Sequence, residues 1–223
     1  MSGTIDECAT ALEMVALINA EDRKVAEAVG LCMAEIARVA ERGAASLASG
    51  GRLIYVGCGT SGRIAVADAV ECLPTFGFGQ DKVLALMGGG DEALLRPVEG
   101  AEDSAEDGMA ELVRNRPGPM DVVIGVTASG STPFVLGALA CARAAGCHTV
   151  LVSCGPPSPE SALEDCPISI QVGPEVVQGS TRMKAATAQK MVLNSISTVA
   201  MTLLGRVYQG RMVWVQPTNA KLR

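Results

Sequence analysis

Two turns rich in glycine and hydroxyl side chains are the first segments of the sequence that could do chemistry. Residues 57–62 read Gly-Cys-Gly-Thr-Ser-Gly and place Thr60 and Ser61 where a helix is predicted to begin. Residues 127–133 are similar and contain Ser129, Gly130, Ser131 and Thr132. Backbone N–H groups and hydroxyls at a helix N-terminus bind anions. Two such turns predict a phosphate site, and simple helix capping is the alternative interpretation.

The first turn also fits the G-x-G-x-x-G pattern of dinucleotide sites, through Gly57, Gly59 and Gly62. A dinucleotide site also needs an acidic residue at the end of the second strand, about 20 residues further on. Here the second predicted strand ends in Met87 and three glycines. The pattern therefore favours the phosphate of a small ligand over a dinucleotide.

Carboxylates are the expected proton-transfer groups, because the one histidine, His148, is predicted at the amino end of a strand. Glu71 is followed by Leu73 and Pro74, which we expect to break a helix and to surround the carboxyl with apolar groups. Such surroundings raise a carboxyl pKa towards neutrality. Glu102 follows the second strand at the ligand edge of the sheet. The alternatives are a solvated Glu71 at a helix end and a Glu102 that only complements a helix dipole.

A third segment opens the last predicted helix, Gly179–Leu204. Ser180 and Thr181 are predicted to cap it. Arg182 and Lys184 bring positive charge to the positive end of the helix dipole, which favours an anion nearby. A solvated arginine and lysine are the alternative interpretation.

Apolar runs that alternate with helical patterns predict the elements that position these segments. The predicted strands cover residues 53–56, 83–87, 121–126, 149–153 and 168–172. This alternation predicts an α/β fold, a doubly wound parallel sheet of five strands flanked by helices. Ligands bind such sheets beyond the carboxyl ends of the strands, where the strand order reverses. Two further helices, 4–18 and 21–47, are expected to pack at one end.

The composition limits the partners. The chain has 223 residues, of which 48% are hydrophobic and only 3% aromatic, so stacking on nucleobases is not expected. The net charge of −6 argues against a nucleic-acid partner. The eight cysteines lack zinc-site spacing and are expected to be reduced thiols of a cytoplasmic protein. Neither a signal peptide nor a membrane-spanning run is recognised, so no membrane partner is expected.

Several segments together resemble the N-acetylmuramic acid 6-phosphate etherases. They are residues 51–63, 71–77, 97–103, 127–133, 179–190 and 207–222. The glucokinase regulatory protein is a more distant resemblance, and the wider class contains sugar-phosphate isomerases. The resemblance implies a sugar isomerase domain that binds a phosphosugar at 49–205. It also implies N-terminal helices at 1–48 that pack on the core, and a tail at 206–223.

The resemblance implies a lyase of amino sugar catabolism and peptidoglycan recycling, which works without a metal or an organic cofactor. It would cleave the ether between lactate and the sugar, with Glu71 as general acid/base and Glu102 as second carboxylate. Ser180 and Lys184 would belong to a stretch that closes over the site, and the protein would pair as a homodimer. The other expected substrate-binding residues are Gly59, Thr60, Ser61, Ser129, Gly130, Ser131 and Thr132.

The sequence departs from the family pattern at three positions. Cys58 stands where alanine is usual, Leu73 replaces a proline and Trp214 replaces an acidic residue. Family members are usually longer at both ends, with a small C-terminal helical domain. Two other functions therefore stay open: a non-catalytic regulator that binds a sugar phosphate, and an aldose–ketose sugar-phosphate isomerase. The presence of Glu71 and Glu102 favours the etherase.

Overall fold

A parallel sheet of five strands forms the centre of the molecule. The computed structural model describes residues 4–79, 81–157, 159 and 164–214. The strands are β1 (Leu53–Gly57), β2 (Val83–Met87), β3 (Val122–Val126), β4 (His148–Ser153) and β5 (Cys166–Ser169). They lie in the order β2-β1-β3-β4-β5, and every neighbouring pair is parallel. The predicted doubly wound five-stranded sheet is confirmed, and its strand order reverses between β1 and β3.

Seven α-helices in the described part of the chain cover the sheet. They are α1 (Ala11–Gly30), α2 (Met33–Ala48), α3 (Gly59–Phe76), α4 (Glu92–Leu95), α5 (Ala105–Arg114), α6 (Pro133–Ala144) and α7 (Lys184–Leu203). Apolar side chains of α1, α2, α3 and α7 form a core on one face of the sheet. Those of α5 and α6 form a second core on the other face. β1 and β3 are buried at every position, as expected of central parallel strands covered on both faces.

The predicted break between the first two helices is in the wrong place. A capping box starts α1: the Thr10 hydroxyl accepts from the Glu13 N–H at 3.2 Å, and the Glu13 carboxylate accepts from the Thr10 N–H at 3.1 Å. The helix then continues to Gly30, where glycine weakens it. α2 packs against α7 and beneath β1, β3 and β5. It therefore covers a face of the sheet and does not sit at one end.

The end of α3 also differs from the prediction. The helix does not stop near Cys72 but includes Pro74 in its last turn and ends at Phe76, before Gly77, which has a φ of +73°. A left-handed glycine is a common helix terminator. The Gly77 N–H donates to the Leu73 carbonyl at 3.0 Å, so the helical hydrogen bonds resume after the proline. Pro74 removes one N–H donor from the helix and its ring crowds the carbonyl of the preceding turn, but the helix continues to Phe76.

Two more predicted boundaries need correction. The last strand is β5 at Cys166–Ser169, earlier than the predicted 168–172. α7 begins at Lys184 and not at Gly179, and the Glu175 carboxylate accepts from the N–H groups of its first two residues. The other strands and α5 and α6 lie within two residues of their predicted bounds.

A small hairpin follows α7. Its strands are β6 (Val207–Tyr208) and β7 (Arg211–Met212), joined through Gln209 and Gly210, which both have positive φ. The Arg206 guanidinium lies 4.4 Å from the Phe78 ring centre and 3.9 Å from that of Trp214. These cation–π contacts hold the hairpin against the end of α3. Among the described helices, none has the length and apolar character needed to cross a membrane.

Candidate active site

The two hydroxyl-rich turns meet at the carboxyl edge of the sheet, between β1 and β3. They enclose a pocket of about 290 Å³. Six residues proposed from the sequence line it: Gly59, Thr60, Ser61, Glu102, Ser129 and Thr132. Cys58, Thr127 and Thr181 also line the pocket. The phosphate pocket, as we call it below, thus lies where the strand order reverses, the usual ligand site of such sheets.

The first wall of the phosphate pocket is the N-terminus of α3. Gly59 is its first residue, with a φ of +54°, and Cys58 before it is extended. Within the described chain, no side chain caps this helix. The N–H groups of its first turn have no acceptor inside the helix. A bare helix N-terminus with two hydroxyls suits an anion, which favours ligand binding over the capping alternative.

The second wall is a network of hydroxyls after β3. Thr127 is 2% exposed, and its Oγ1 lies 2.7 Å from Thr132 Oγ1 and 3.4 Å from Ser129 Oγ. The Ser131 N–H and hydroxyl donate to Ser129 Oγ at 3.2 and 3.1 Å. Thr132 precedes α6 but makes no side-chain cap to it in the described chain. Its hydroxyl is instead engaged at the pocket. Ser131 and Gly130 belong to the same turn, Ser131 on the outside and Gly130 buried.

Glu102 lies at the mouth of the phosphate pocket, on the loop before α5. The side chain is exposed, and the Glu102 carbonyl accepts from the Phe134 N–H at 3.1 Å. Ser104 caps α5 by accepting from the Asp107 N–H at 3.0 Å. Glu102 therefore precedes the cap and is not a first-turn acid of this helix. Its backbone bond to α6 places the carboxylate beside the hydroxyls.

The position of Glu71 differs from the environment predicted for it. It lies twelve residues after Gly59 on α3, which is about 18 Å along a helix with a rise of 1.5 Å per residue. Its side chain is exposed, and so is that of Leu73. The predicted apolar enclosure is wrong, because α3 continues past Pro74 and turns these side chains outward. Within one chain, Glu71 and the phosphate pocket are far apart.

The segment before α7 is divided between two places. Thr181 reaches the phosphate pocket, and Ser180 is half-buried beside it, with its N–H on the Val177 carbonyl at 3.1 Å. Lys184 is 1% exposed and its Nζ lies 2.7 Å from Glu21 Oε2 of α1, away from the phosphate pocket. Lys184 was expected to close over the ligand, but in the structure it is buried against α1.

The anion expected near the start of α7 belongs to the chain itself. Glu175 accepts from the N–H groups of Lys184 and Ala185 at 3.0 and 3.1 Å. This carboxylate complements the helix dipole, and Glu21 neutralises the Lys184 ammonium. The charges at this helix end therefore give no separate argument for a bound ligand.

Sequence reasoning missed two hydroxyl residues of the phosphate pocket. Thr127 is the first hydroxyl residue after β3, within a segment that was already of interest. Thr181 was interpreted as a helix cap, and only the later start of α7 frees it.

Cys58 sits between the turns as an unreactive thiol. Burial, followed by the charge of Glu102, raises its pKa to about 12. It is one of eight free thiols, and the described residues contain no group of three or more His, Cys, Asp or Glu side chains placed to hold a metal ion.

Solved structures with a similar fold include two phosphoheptose isomerases. A phosphoheptose isomerase from Francisella tularensis superposes with a TM-score of 0.68 at 16% identity, over 86% of this chain and 99% of that one. The phosphoheptose isomerase of Neisseria gonorrhoeae gives a TM-score of 0.62 at 18% identity, over 86% of this chain and 100% of that one. At these identities the likeness concerns the fold alone.

Sequence comparison identifies the family. Residues 35–143 match the model of the glucokinase regulatory protein N-terminal SIS domain. The N-acetylmuramic acid 6-phosphate etherase of Serratia proteamaculans is 52% identical over 218 residues, which are 98% of this chain and 73% of the relative. That of Pectobacterium atrosepticum is 52% identical over 219 residues, 98% of this chain and 72% of the relative. The chain therefore belongs to the N-acetylmuramic acid 6-phosphate etherase family.

Proposed function

We propose that the protein is a carbon–oxygen lyase that converts N-acetylmuramic acid 6-phosphate to N-acetylglucosamine 6-phosphate and D-lactate. The family supports this reaction. In the structure, the main support is that an uncapped helix N-terminus, a hydroxyl network and the Glu102 carboxylate meet at one pocket. This site can bind a phosphate and present a carboxylate to the attached sugar.

The 6-phosphate would occupy the phosphate pocket. The first-turn N–H groups of α3 and the hydroxyls of Thr60, Ser61, Ser129 and Thr132 would donate to its oxygens. Hydrogen bonds to a charged acceptor are about twice as strong as neutral ones. Three further residues would support the phosphate pocket without contacting the phosphate. Gly130 and Ser131 would hold the hydroxyl turn, and Ser180 would hold the segment that carries Thr181.

The chemistry would be an elimination followed by a hydration. In the open-chain sugar the C1 aldehyde acidifies the C2 proton, and a carboxylate removes it. The C3–O bond breaks, the leaving lactate oxygen takes a proton, and a C2=C3 double bond remains. Water then adds its hydroxyl to C3 and a proton returns to C2. Glu71 is assigned as general acid/base and Glu102 as second carboxylate.

Glu71 would have to come from a second copy of the chain. Within one copy it lies about 18 Å along α3 from the helix start. Exposed apolar side chains flank it, Val70 at 41% and Leu73 at 49% exposure. A homodimer that buries this face of α3 would bring Glu71 to the partner's phosphate pocket and would supply the low-polarity surroundings that raise a carboxyl pKa.

The remaining parts of the proposal follow from this reaction. Residues 49–205 would form the sugar-phosphate unit, with 1–48 packed on it and 206–223 as a tail. The substrate is a fragment of the bacterial cell wall, so the enzyme would act in the cytoplasm in peptidoglycan recycling.

A non-catalytic sugar-phosphate sensor is the second candidate. It is favoured by the match to a domain of a regulatory protein and by the distance of Glu71 from the phosphate pocket in one chain. An isomerase has support only from the fold.

The deciding experiment measures D-lactate release from N-acetylmuramic acid 6-phosphate by the purified chain, with Glu71→Gln beside it. Release by the parent and none by the variant is expected, with sugar-phosphate binding within a few-fold. Absence of release from a chain that still binds the sugar phosphate would support the sensor. Loss of binding in Glu71→Gln would make Glu71 a structural residue.

A further inference from the structure

A second pocket opens directly beside the phosphate pocket, between the start of α3 and the loops that follow β2. It has a volume of about 360 Å³. Cys58, Gly59 and Glu102 line both pockets, so the two are direct neighbours with these residues between them. A sugar whose 6-phosphate lies at the hydroxyl turns would pass Glu102 and point its other end into this second pocket.

The walls of the second pocket suit a small apolar group. Met87 at the end of β2, Ala93 of α4 and Val98 and Ala101 of the following loop all contribute to its lining. Met87 and Ala93 are buried, while Val98 stands at the rim with 38% exposure. The surface that these side chains form can contact a methyl group but offers few hydrogen bonds of its own.

Arg63 holds the walls in place. Its Nε donates to the Leu94 carbonyl at 3.1 Å and its Nη2 donates to the Ala93 carbonyl at 2.7 Å. A weaker bond joins the same nitrogen to the Arg96 carbonyl at 3.3 Å. Since α3 thus clamps α4 and the loop after it, the second pocket is formed before any ligand arrives.

The charged side chains that line the second pocket are mainly negative, which favours the acetamido group of the proposed substrate over its lactyl carboxylate. Glu99, Glu102 and Asp103 line it, against one guanidinium, that of Arg63, whose donors are largely spent on carbonyls. A lactyl carboxylate would meet like charge there. A neutral acylamino group would not, and its N–H can donate to a carboxylate while its methyl group contacts the apolar wall.

We propose that this second pocket binds the 2-acetamido group of the substrate. The inference rests on the proposed function for the orientation of the sugar. The lactyl group then points out of the second pocket, towards the side from which the second copy would approach.

The test compares two ligands that differ in this group. Calorimetry would measure the binding of N-acetylglucosamine 6-phosphate and of glucose 6-phosphate to the parent, to Val98→Phe and to the control Val113→Phe. Val113 is an exposed valine of α5 outside both pockets. Because the larger aromatic ring at the rim would fill the second pocket, we expect Val98→Phe to lose about tenfold or more in affinity for the acetylated ligand, the size expected for a blocked apolar contact. Glucose 6-phosphate should change less than about twofold, and Val113→Phe should change neither.

Equal losses for both ligands, or no loss, would overturn the proposal. The proposal would also be overturned if Val98→Phe raised the KM for N-acetylmuramic acid 6-phosphate but left the affinity for N-acetylglucosamine 6-phosphate unchanged. That result would assign the second pocket to the lactyl group. If the parent releases D-lactate, the proposed function holds, and either result then concerns only the second pocket.

A second measurement avoids any change in the pocket wall. In protein with ¹³C-methyl methionine, the Met87 signal, assigned by its absence in Met87→Leu, should shift with N-acetylglucosamine 6-phosphate and stay in place with glucose 6-phosphate. Identical shifts with both ligands would contradict the assignment.

Discussion

The ammonium group of Lys184 lies 2.7 Å from Oε2 of Glu21, with the lysine side chain 1% exposed and the glutamate 23% exposed. The bond joins the first turn of α7 to α1 across 163 residues of sequence. It thereby anchors the segment that carries Thr181 into the phosphate pocket. Since Lys184 is almost fully buried, this ion pair is expected to matter far more than the pairs on the helix surfaces.

Glu21→Gln should destabilise the protein by about 3 kcal/mol, because it leaves a buried ammonium without its counter-charge. We choose the lower end of the range for buried pairs since Glu21 still reaches solvent. Urea unfolding measures the change. Glu35→Gln is the control: it removes a surface pair with Arg38 and should cost less than about 0.5 kcal/mol. Equal costs for the two variants would show that the buried pair has no special weight.

The same pair predicts a dependence on pH. The Lys184 hydrogen bond, followed by that of Lys24, lowers the pKa of Glu21 below its ordinary value of 4.5. A lowered pKa in the folded state stabilises the protein above the unfolded pKa, and this stability is lost as the pH falls through the folded pKa. The difference in unfolding free energy between the parent and Glu21→Gln should therefore be constant near neutral pH and shrink under acid conditions. A difference that grows on acidification would contradict the assigned pair.

The sheet and most of the phosphate pocket could be predicted from local sequence. The run Val122–Val126 is apolar throughout and is followed at once by hydroxyl residues, and Leu53–Gly57 is followed by Thr60 and Ser61. Because the carboxyl ends of parallel strands share an edge, these two turns had to be neighbours once β1 and β3 paired. At this site the local sequence pattern and the strand order therefore predict the same place for the ligand.

Contacts between distant segments could not be predicted in this way. Nothing near Lys184 in the sequence points to Glu21, so a lysine interpreted as a ligand group turned out to be a buried structural charge. For Glu71, apolar neighbours in sequence suggested burial. On a helix, however, successive residues point in different directions, and α3 turns Glu71 and Leu73 outward.

Tyr55 and Asp68 give a prediction about ionisation. Tyr55 is fully buried, and its hydroxyl donates to Asp68 Oδ2 at 2.8 Å, while Oδ1 accepts from Asn194 at 2.5 Å and Ser197 at 3.0 Å. Burial, and then the charge of Asp68, raises the Tyr55 pKa well above its ordinary value of 10.0. Tyr55 should therefore give no tyrosinate absorbance before the protein unfolds, and Tyr208→Phe leaves it as the one tyrosine to observe. Reversible titration that persists in folded Tyr208→Phe would contradict this.

The hydroxyl network at the phosphate pocket gives the last prediction. Ser129→Ala removes an oxygen that lines the pocket and also accepts from the Ser131 N–H at 3.2 Å. Ser61→Ala removes one at the start of α3. Each should weaken N-acetylglucosamine 6-phosphate by about 1–3 kcal/mol, the size of a hydrogen bond to a charged group. Unphosphorylated N-acetylglucosamine should change little, because it makes no bond to these hydroxyls.

The control for these variants is Ser195→Ala on α7, whose hydroxyl donates to the Met191 carbonyl within its own helix. It should leave both affinities unchanged in the same calorimetric titrations. If the Ser129 and Ser61 variants weakened the phosphorylated and unphosphorylated sugars equally, these hydroxyls would contact the sugar ring, and the phosphate would have to bind elsewhere. A loss confined to the phosphorylated ligand, together with normal unfolding in urea, would place the phosphate at the meeting point of β1 and β3.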